Sequence, residues 1–453
     1  LIAELGRRQA RAREMGGVDG LKRHRESGRL PVRERISLLL DNDESWFEIG
    51  ALGLPELRTS RHVPGDAVVT GFGNVMGWRF SHLPLDFKSF LKPTDGGPLI
   101  PRAAAVLGPS YGDSALHAST AHFVVMVKNA SLALVGPSVI ESATGEQLTD
   151  AELGGADQAL AIGNAHMAVA GEDDAMDAIA AFLSYFPANA GLPAPAAPSR
   201  NPAVSPEELE NIVPLGAKAG YDMYRVIEAI ADEASVFPWA DDWGPALLTC
   251  FARIEGNPVG IVANQPMVLA GALDAHALTK EHDFVDLCDS FNIPIVFLHD
   301  VPGLMVGTEA EKTGILKAYE KLALRISEAA VPKVGVVLRK AYGGGHFAMG
   351  GRPTHPDFLF AWPSAEMGFM APETGVQTVY RRRLEKVAKE QGDEAAEKLA
   401  AELFDEWVTE SEPWEAAAHL ALDDVIAPAD TRRVIAASLD IAWGEHPVRV
   451  ARR

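Results

Sequence analysis

The sequence is short of cysteine, of positive charge and of long apolar runs, and each shortage closes off a class of function. Cys250 and Cys288 are the two cysteines among 453 residues, both in apolar surroundings and without the close spacing of redox or zinc motifs. A disulfide scaffold is therefore excluded, no metal is expected, and a reducing, cytoplasmic setting fits. The 41 lysines and arginines face 62 aspartates and glutamates, a formal charge of −21. That balance offers no basic footprint for nucleic acid, although a local basic patch for a phosphate-bearing substrate is still compatible with it. No uninterrupted apolar run has the roughly 20 residues that a membrane span requires. The N-terminal arginines are mixed with Glu4 and Glu14, unlike a signal peptide.

What is present describes an ordinary globular chain, 47% hydrophobic and 23% charged, long enough for two domains. Helix-like and strand-like patterns alternate, which predicts α/β architecture in both halves. The expected domains are residues 1–190 and 207–453, with a Pro/Ala-rich linker over 191–206. The arginine-rich helical text of residues 1–41 reads either as a solvated face or as a basic face for a partner or phosphate. A strand near 66–72 with a hairpin partner near 78–83 opens the first half. Further strands are expected at 103–107, 123–127 and 132–135, and a helix at 173–182.

Residues 331–349, VPKVGVVLRKAYGGGHFAM, organise the second half. The β-branched run 334–338 reads as a buried strand of a parallel sheet. It ends at Gly343-Gly344-Gly345, where the backbone is free to take positive φ. A strand that passes through such a turn into a helix gathers backbone N–H groups at one spot, which suits an anionic oxygen. A plain tight turn is the alternative. The first half repeats the pattern. Ala105-Val106-Leu107 leads through Tyr111-Gly112 to a helix and the aromatic strand at Phe123, as Val336-Val337-Leu338 leads through Tyr342-Gly343 to a helix and Phe358. An internal repeat of this order predicts two related folds, each presenting donors at a strand-to-helix turn. Two such turns suit a reaction with two developing oxyanions. A duplication that kept the scaffold and lost one site is the competing account.

Beyond these patterns the text resembles the carboxyltransferase β subunits of the biotin-dependent acyl-CoA carboxylases, the propionyl-, acetyl- and methylcrotonyl-CoA family. The resemblance is carried by NQPMVLAG (264–271), FNIPIV (291–296), DVPG (300–303), RKAYGG (339–344) and AWPSAE (361–366). FVVMVK (123–128), ATGE (143–146), ELGGA (152–156) and LDDVI (422–426) add to it, so it spans nearly the whole chain. It implies two crotonase-like domains of the ClpP/crotonase, ββα-spiral type, related by internal duplication, in an oligomer that is usually a hexamer. It also implies transfer of a carboxyl group from carboxybiotin to an acyl-CoA through an enolate. By matching position, the acyl-side oxyanion hole falls on the backbone of Gly112 and Asp113. The biotin-side hole falls on Gly344 and Gly345, with Gly343 completing the biotin-binding turn. Tyr111, Ser114, Tyr342, His346 and Phe347 flank these turns and are assigned to substrate binding. The chain has no Met-Lys-Met biotin-acceptor text and no ATP-binding glycine-rich unit. Biotin is therefore expected on a biotin carboxylase or biotin carboxyl carrier partner.

Three departures from the family stand out. The first turn reads Ser110-Tyr111-Gly112-Asp113-Ser114, where the family has more small residues. No histidine follows Gly154-Gly155-Ala156, where Asp157 stands instead. A glycine-rich segment before the first turn is missing, so the first domain reads as shortened near 86–101. Either the domain is truly shorter or residues are missing from the written sequence, in which case the intact mass would exceed 48.5 kDa. The incomplete fold of a truly shortened domain favours the second reading. Phe347 stands where short-chain enzymes often carry an acid, which favours a branched or larger acyl group. Arg339, Lys340 and Arg352 are candidates for CoA phosphates or for plain surface charge. His299 beside Asp300 reads as a catalytic pair or, preferably, as part of a structural turn. A biotin-independent decarboxylase or hydratase, and a non-catalytic assembly subunit, are the competing functions.

Overall fold

The computed structural model describes residues 2–15, 17–49, 69–75, 78–82, 99–216 and 219–445. They divide into two compact units, one running to Leu192 and the other beginning at Pro193. Among the described residues, no helix is long and apolar enough to cross a membrane.

The second unit is built on an eight-stranded sheet. Leu247–Ile254 and Asn257–Asn264 form an antiparallel hairpin, closed by Glu255 (φ 52°) and Gly256 (φ 81°). Two successive positive φ values are the geometry that matches the twist of the flanking strands. Ile295–Val301, Lys333–Tyr342 and Phe358–Ala361 then add in parallel, each after a helical crossover or turn. All ten residues of Lys333–Tyr342 are buried, because this strand has a neighbour on both sides and helices over its faces. Glu366–Gly368 pairs with its far end. Helix Ala275–Ser290 is capped by Asp274, whose carboxylate accepts the Ala277 N–H at 2.8 Å. It packs on Ile315–Glu328, and Arg325 ties the two by reaching Asp286 at 2.7 Å and Asp289 at 2.6 Å. Cys250 and Cys288 are free and buried in this core.

The first unit repeats only part of this plan. Ala103–Val106, Phe123–Val127 and Met167–Val169 form a parallel sheet, and Pro109–Tyr111 pairs with Ser131–Ala133. A hairpin of Thr70–Val75 and Trp78–His82, with Phe47–Ile49 beside it, forms a separate sheet. In the second unit the chain between hairpin and central strand, residues 265–332, supplies a helix, the strand Ile295–Val301 and two more helices. The corresponding stretch of the first unit, residues 83–102, is much shorter in sequence. Most of the segment read as shortened, 86–98, lies outside the described residues. Arg35 anchors the N-terminal helices: it makes a bidentate pair with Glu172 at 2.8 and 2.6 Å, and the Leu30 N–H donates to the same carboxylate. Arg33 likewise pairs with Glu48 at 2.5 Å. These arginines therefore hold the unit together and do not form an open basic face.

Two parts of the chain add to the sequence reading. The linker stretch is docked on its own unit: the Ala197 N–H donates to the Gly256 carbonyl at 2.9 Å, and Arg253 reaches the Pro195 carbonyl at 2.7 Å. Residues 381–411, which the alternation argument passes over, form a helical pair, Arg381–Gln391 and Asp393–Ser411, joined at Gly392 (φ 93°). Their polar surfaces hide the helical period from a search for apolar stripes.

Four histidines make this fold acid-sensitive. His122 and His166 accept backbone N–H groups at Nδ1, from Arg102 at 2.9 Å and Val124 at 2.8 Å, so their rings must be neutral there. Burial lowers both pKa values to about 3, and that of His346 to about 4; His299, wholly buried, is pushed well below the ordinary value. These depressed values mean the unfolded chain takes up protons from about pH 6.5 downward that the folded chain refuses. Stability is thus expected to fall between pH 6.5 and 4, by up to about 1.4 kcal/mol per pH unit for each such group. Denaturant midpoints measured across that range check this, and His299→Leu is expected to remove part of the slope.

Candidate active site

In the first unit, strand Pro109–Tyr111 turns at Gly112 into helix Asp113–Ser119. Gly112 has φ 63° and ψ −130°, a conformation open to glycine and strained for any other residue. Its N–H donates to the Leu134 carbonyl at 2.9 Å, continuing the pairing of Pro109–Tyr111 with Ser131–Ala133. The assignment of the Gly112 amide to the acyl-side hole is therefore corrected: that donor is committed to the backbone. The N–H groups without an acceptor inside the helix are those of its first turn, beginning with Asp113 and Ser114. The Asp113 side chain is exposed, where water screens its charge. Tyr111 and Ser114 build the turn. The Tyr111 hydroxyl bonds Ser131 at 2.9 Å and Asp150 at 2.5 Å, and burial followed by Asp150 raises its pKa. Ser114 Oγ donates to the Tyr111 carbonyl at 2.9 Å and contacts Ser110 Oγ at the same distance.

In the second unit, Lys333–Tyr342 runs straight into helix Gly343–Ala348, with Gly343 at φ 50°. The three glycines differ in what surrounds them. A β-carbon on Gly343 would meet the Phe369 carbonyl at 2.8 Å, and one on Gly345 would meet Val301 Cγ2 at 2.7 Å and the Gly303 backbone at 2.9 Å. Both positions need glycine for close packing. At Gly344 the nearest atoms would be Leu304 Cδ1 at 3.4 Å and the Tyr319 hydroxyl at 3.5 Å, an ordinary contact. Gly344 is thus the least crowded member of the turn, and its N–H lies in the first helical turn with that of Gly345.

Two side chains assigned to substrate binding on this turn face elsewhere. Tyr342 is 4% exposed, and its hydroxyl bonds Glu366; burial, then Glu366, raises its pKa. His346 turns inward: its ring lies beneath Gly351 and 5.4 Å from the ring of His299, and its Nδ1 has no hydrogen-bond partner among the described residues. Phe347 stays at the rim, 37% exposed. Gly343, Gly344, Gly345 and Phe347 are together at this turn; Tyr342 and His346 support it from behind.

The charged residues around the turn also settle. Asp300 is wholly buried between Arg339, at 2.9 Å, and Lys340, at 3.4 Å. Arg339 further donates to the carbonyls of Pro214, Gly216 and Ala219, and its guanidinium lies 5.2 Å above the Tyr221 ring. Neither a surface charge nor a free phosphate ligand describes Arg339 or Lys340; they are core groups that fix the end of the central strand. Arg352 pairs with Asp423 at 2.8 Å. His299 makes no hydrogen bond to Asp300, so the pair is structural. Asp300→Asn leaves two buried cations without their counter-charge and is expected to destabilise the second unit by about 3–5 kcal/mol, read from denaturation midpoints.

Sequence patterning missed Tyr319 and Leu304. Each reaches Gly344 from a different element: the packing of helix Ile315–Glu328 against the turn brings Tyr319, and the loop after strand Ile295–Val301, bridged at Leu273, brings Leu304.

Two duplicated α/β units of the crotonase-like kind, each ending a strand in a glycine turn, define the class of acyl-transferring folds to which the chain is similar. The comparisons narrow this. Residues 94–453 match the carboxyl transferase domain family. The methylmalonyl-CoA carboxyltransferase 12S subunit of Propionibacterium freudenreichii subsp. shermanii is 35% identical, with 97% of this chain and 93% of that protein covered. The propionyl-CoA carboxylase carboxyltransferase subunit of Haloferax mediterranei is 33% identical, with 97% and 95% covered. The crystal structure of a transcarboxylase 12S hexamer with methylmalonyl-CoA and methylmalonic acid bound superposes with a TM-score of 0.90 at 33% identity, covering 100% of this chain and 96% of that one. The chain belongs to the carboxyltransferase family of the biotin-dependent acyl-CoA carboxylases. The alignment to the 12S subunit is 497 positions long, more than the 453 residues here, so the relative carries residues without a counterpart in this chain.

Proposed function

We propose that the chain transfers a carboxyl group from carboxybiotin, carried by a partner subunit, to the α-carbon or vinylogous γ-carbon of an acyl-CoA. The observation that carries this reading is the pair of strand-to-helix turns of one design, one in each unit of a carboxyltransferase fold. At the first turn, the N–H groups of Asp113 and Ser114 hold the thioester oxygen as it becomes an enolate oxyanion. At the second, those of Gly344 and Gly345 hold the ureido oxygen, which weakens the adjoining N–carboxyl bond. Carboxybiotin supplies the carboxyl group and, once that bond breaks, the base for the α-proton; the new C–C bond replaces the C–H bond lost. Backbone donors fixed before the reaction are effective here because they need no rearrangement as charge develops. The apolar Phe347 at the rim of the second turn supports a branched or larger acyl group. Assembly follows the hexamer of the 12S relative.

The partner is tested by affinity purification of the chain from its native cell, followed by a streptavidin blot. A biotin-bearing protein is expected to co-purify. Its absence, with acyl-CoA turnover intact, would instead favour a biotin-independent decarboxylase.

A further inference from the structure

Tyr319 sits half-buried on helix Ile315–Glu328 with its hydroxyl oxygen 3.5 Å, and its Cζ 3.6 Å, from where a β-carbon on Gly344 would stand. The other tyrosines beside the two turns have their hydroxyls occupied: Tyr111 by Ser131 and Asp150, Tyr342 by Glu366. The Tyr319 hydroxyl differs. It makes no hydrogen bond to any described residue, and it is not among the atoms sealed in the core, so it reaches solvent beside Gly344, the least crowded glycine of the turn. Burial raises its pKa, which keeps the group protonated at neutral pH and able to donate. Leu304 Cδ1 stands 3.4 Å from the same point. A phenol in this position combines a flat apolar wall with one donor at its tip.

We propose that Tyr319 is a further ligand-contacting residue of the second turn, donating its O–H to the ligand held at Gly344 while its ring and Leu304 wall that ligand in. The ligand it meets is a cyclic urea with polar oxygens on a small apolar ring system, which is the chemistry a hydroxyl at the edge of an aromatic wall recognises. This assignment rests on the reading that the second turn takes the ureido group of biotin.

The test uses the purified chain with a carboxylated acyl-CoA as donor and free biotin as acceptor. Tyr319→Phe keeps the wall and removes the O–H. It is expected to lower kcat/KM for biotin about tenfold, the effect of losing one hydrogen bond. KM for the acyl-CoA and the denaturation midpoint are expected to stay at wild-type values, which a purely structural role would not give. Tyr319→Leu removes wall and donor together and is expected to raise KM for biotin further. A competent wild type with an unaffected Tyr319→Phe overturns this assignment alone. A shift in acyl-CoA KM with that of biotin unchanged also overturns it. A wild-type chain that passes no carboxyl group to biotin overturns the reading beneath it as well.

Discussion

Gly344→Pro is expected to lower carboxyl transfer about a hundred- to a thousandfold while the protein stays folded, the effect of removing one donor from an oxyanion hole. The substitution is selective for a geometric reason. Gly344 is the second residue of helix Gly343–Ala348, a first-turn position where proline's missing N–H breaks no helical hydrogen bond. A β-carbon there meets Leu304 and Tyr319 at ordinary contact distance. The same experiment at Gly345 would be uninformative, because even alanine would press on Val301 and the Gly303 backbone. Steady-state kinetics beside a denaturation curve check the expectation. Retained transfer in Gly344→Pro would remove this amide from the mechanism.

The second large effect is expected at Asp113, and it separates backbone from side chain. Asp113 opens helix Asp113–Ser119, the position where proline is best tolerated. Asp113→Pro removes the N–H proposed to hold the thioester oxygen, and transfer is again expected to fall about a hundredfold or more. Asp113→Asn keeps that N–H and changes only an exposed carboxylate, so its loss is expected to be at least tenfold smaller than that of the proline variant. Equal losses in the two variants would move the role from the amide to the side chain. Measured half-reactions sharpen the comparison: Asp113→Pro is expected to impair the acyl-CoA step, and Gly344→Pro the biotin step.

Much of this architecture was legible because parallel strands advertise themselves. The run 334–338 is apolar because its strand has sheet on both sides and helix on both faces, and Gly343–Gly345 follows because the chain must turn tightly against Val301, Gly303 and Phe369. What failed to show was direction. Tyr342 and His346 flank the glycines in sequence, yet one side chain points to Glu366 and the other to His299. The Gly112 amide could not be seen to be spent, since its acceptor, Leu134, becomes a neighbour only through strand pairing. Arg339 and Lys340 looked like surface or phosphate-binding charges because basic pairs usually are exposed, and only the burial of Asp300 accounts for them. Tyr319 was invisible for the same reason as Leu134: its partner lies on another element. Sequence revealed the elements and the turn; tertiary contact decided which groups at the turn remain free.

The most direct test of the account is to give the purified chain a biotin carrier protein bearing a radiolabelled carboxyl group, together with acetyl-, propionyl-, 3-methylcrotonyl- or geranyl-CoA, in the absence of ATP. The account expects label to appear on one of these acyl-CoAs at a rate that Gly344→Pro reduces at least a hundredfold. Label that escapes solely as carbon dioxide, or stays on the carrier whichever acyl-CoA is supplied, would contradict it.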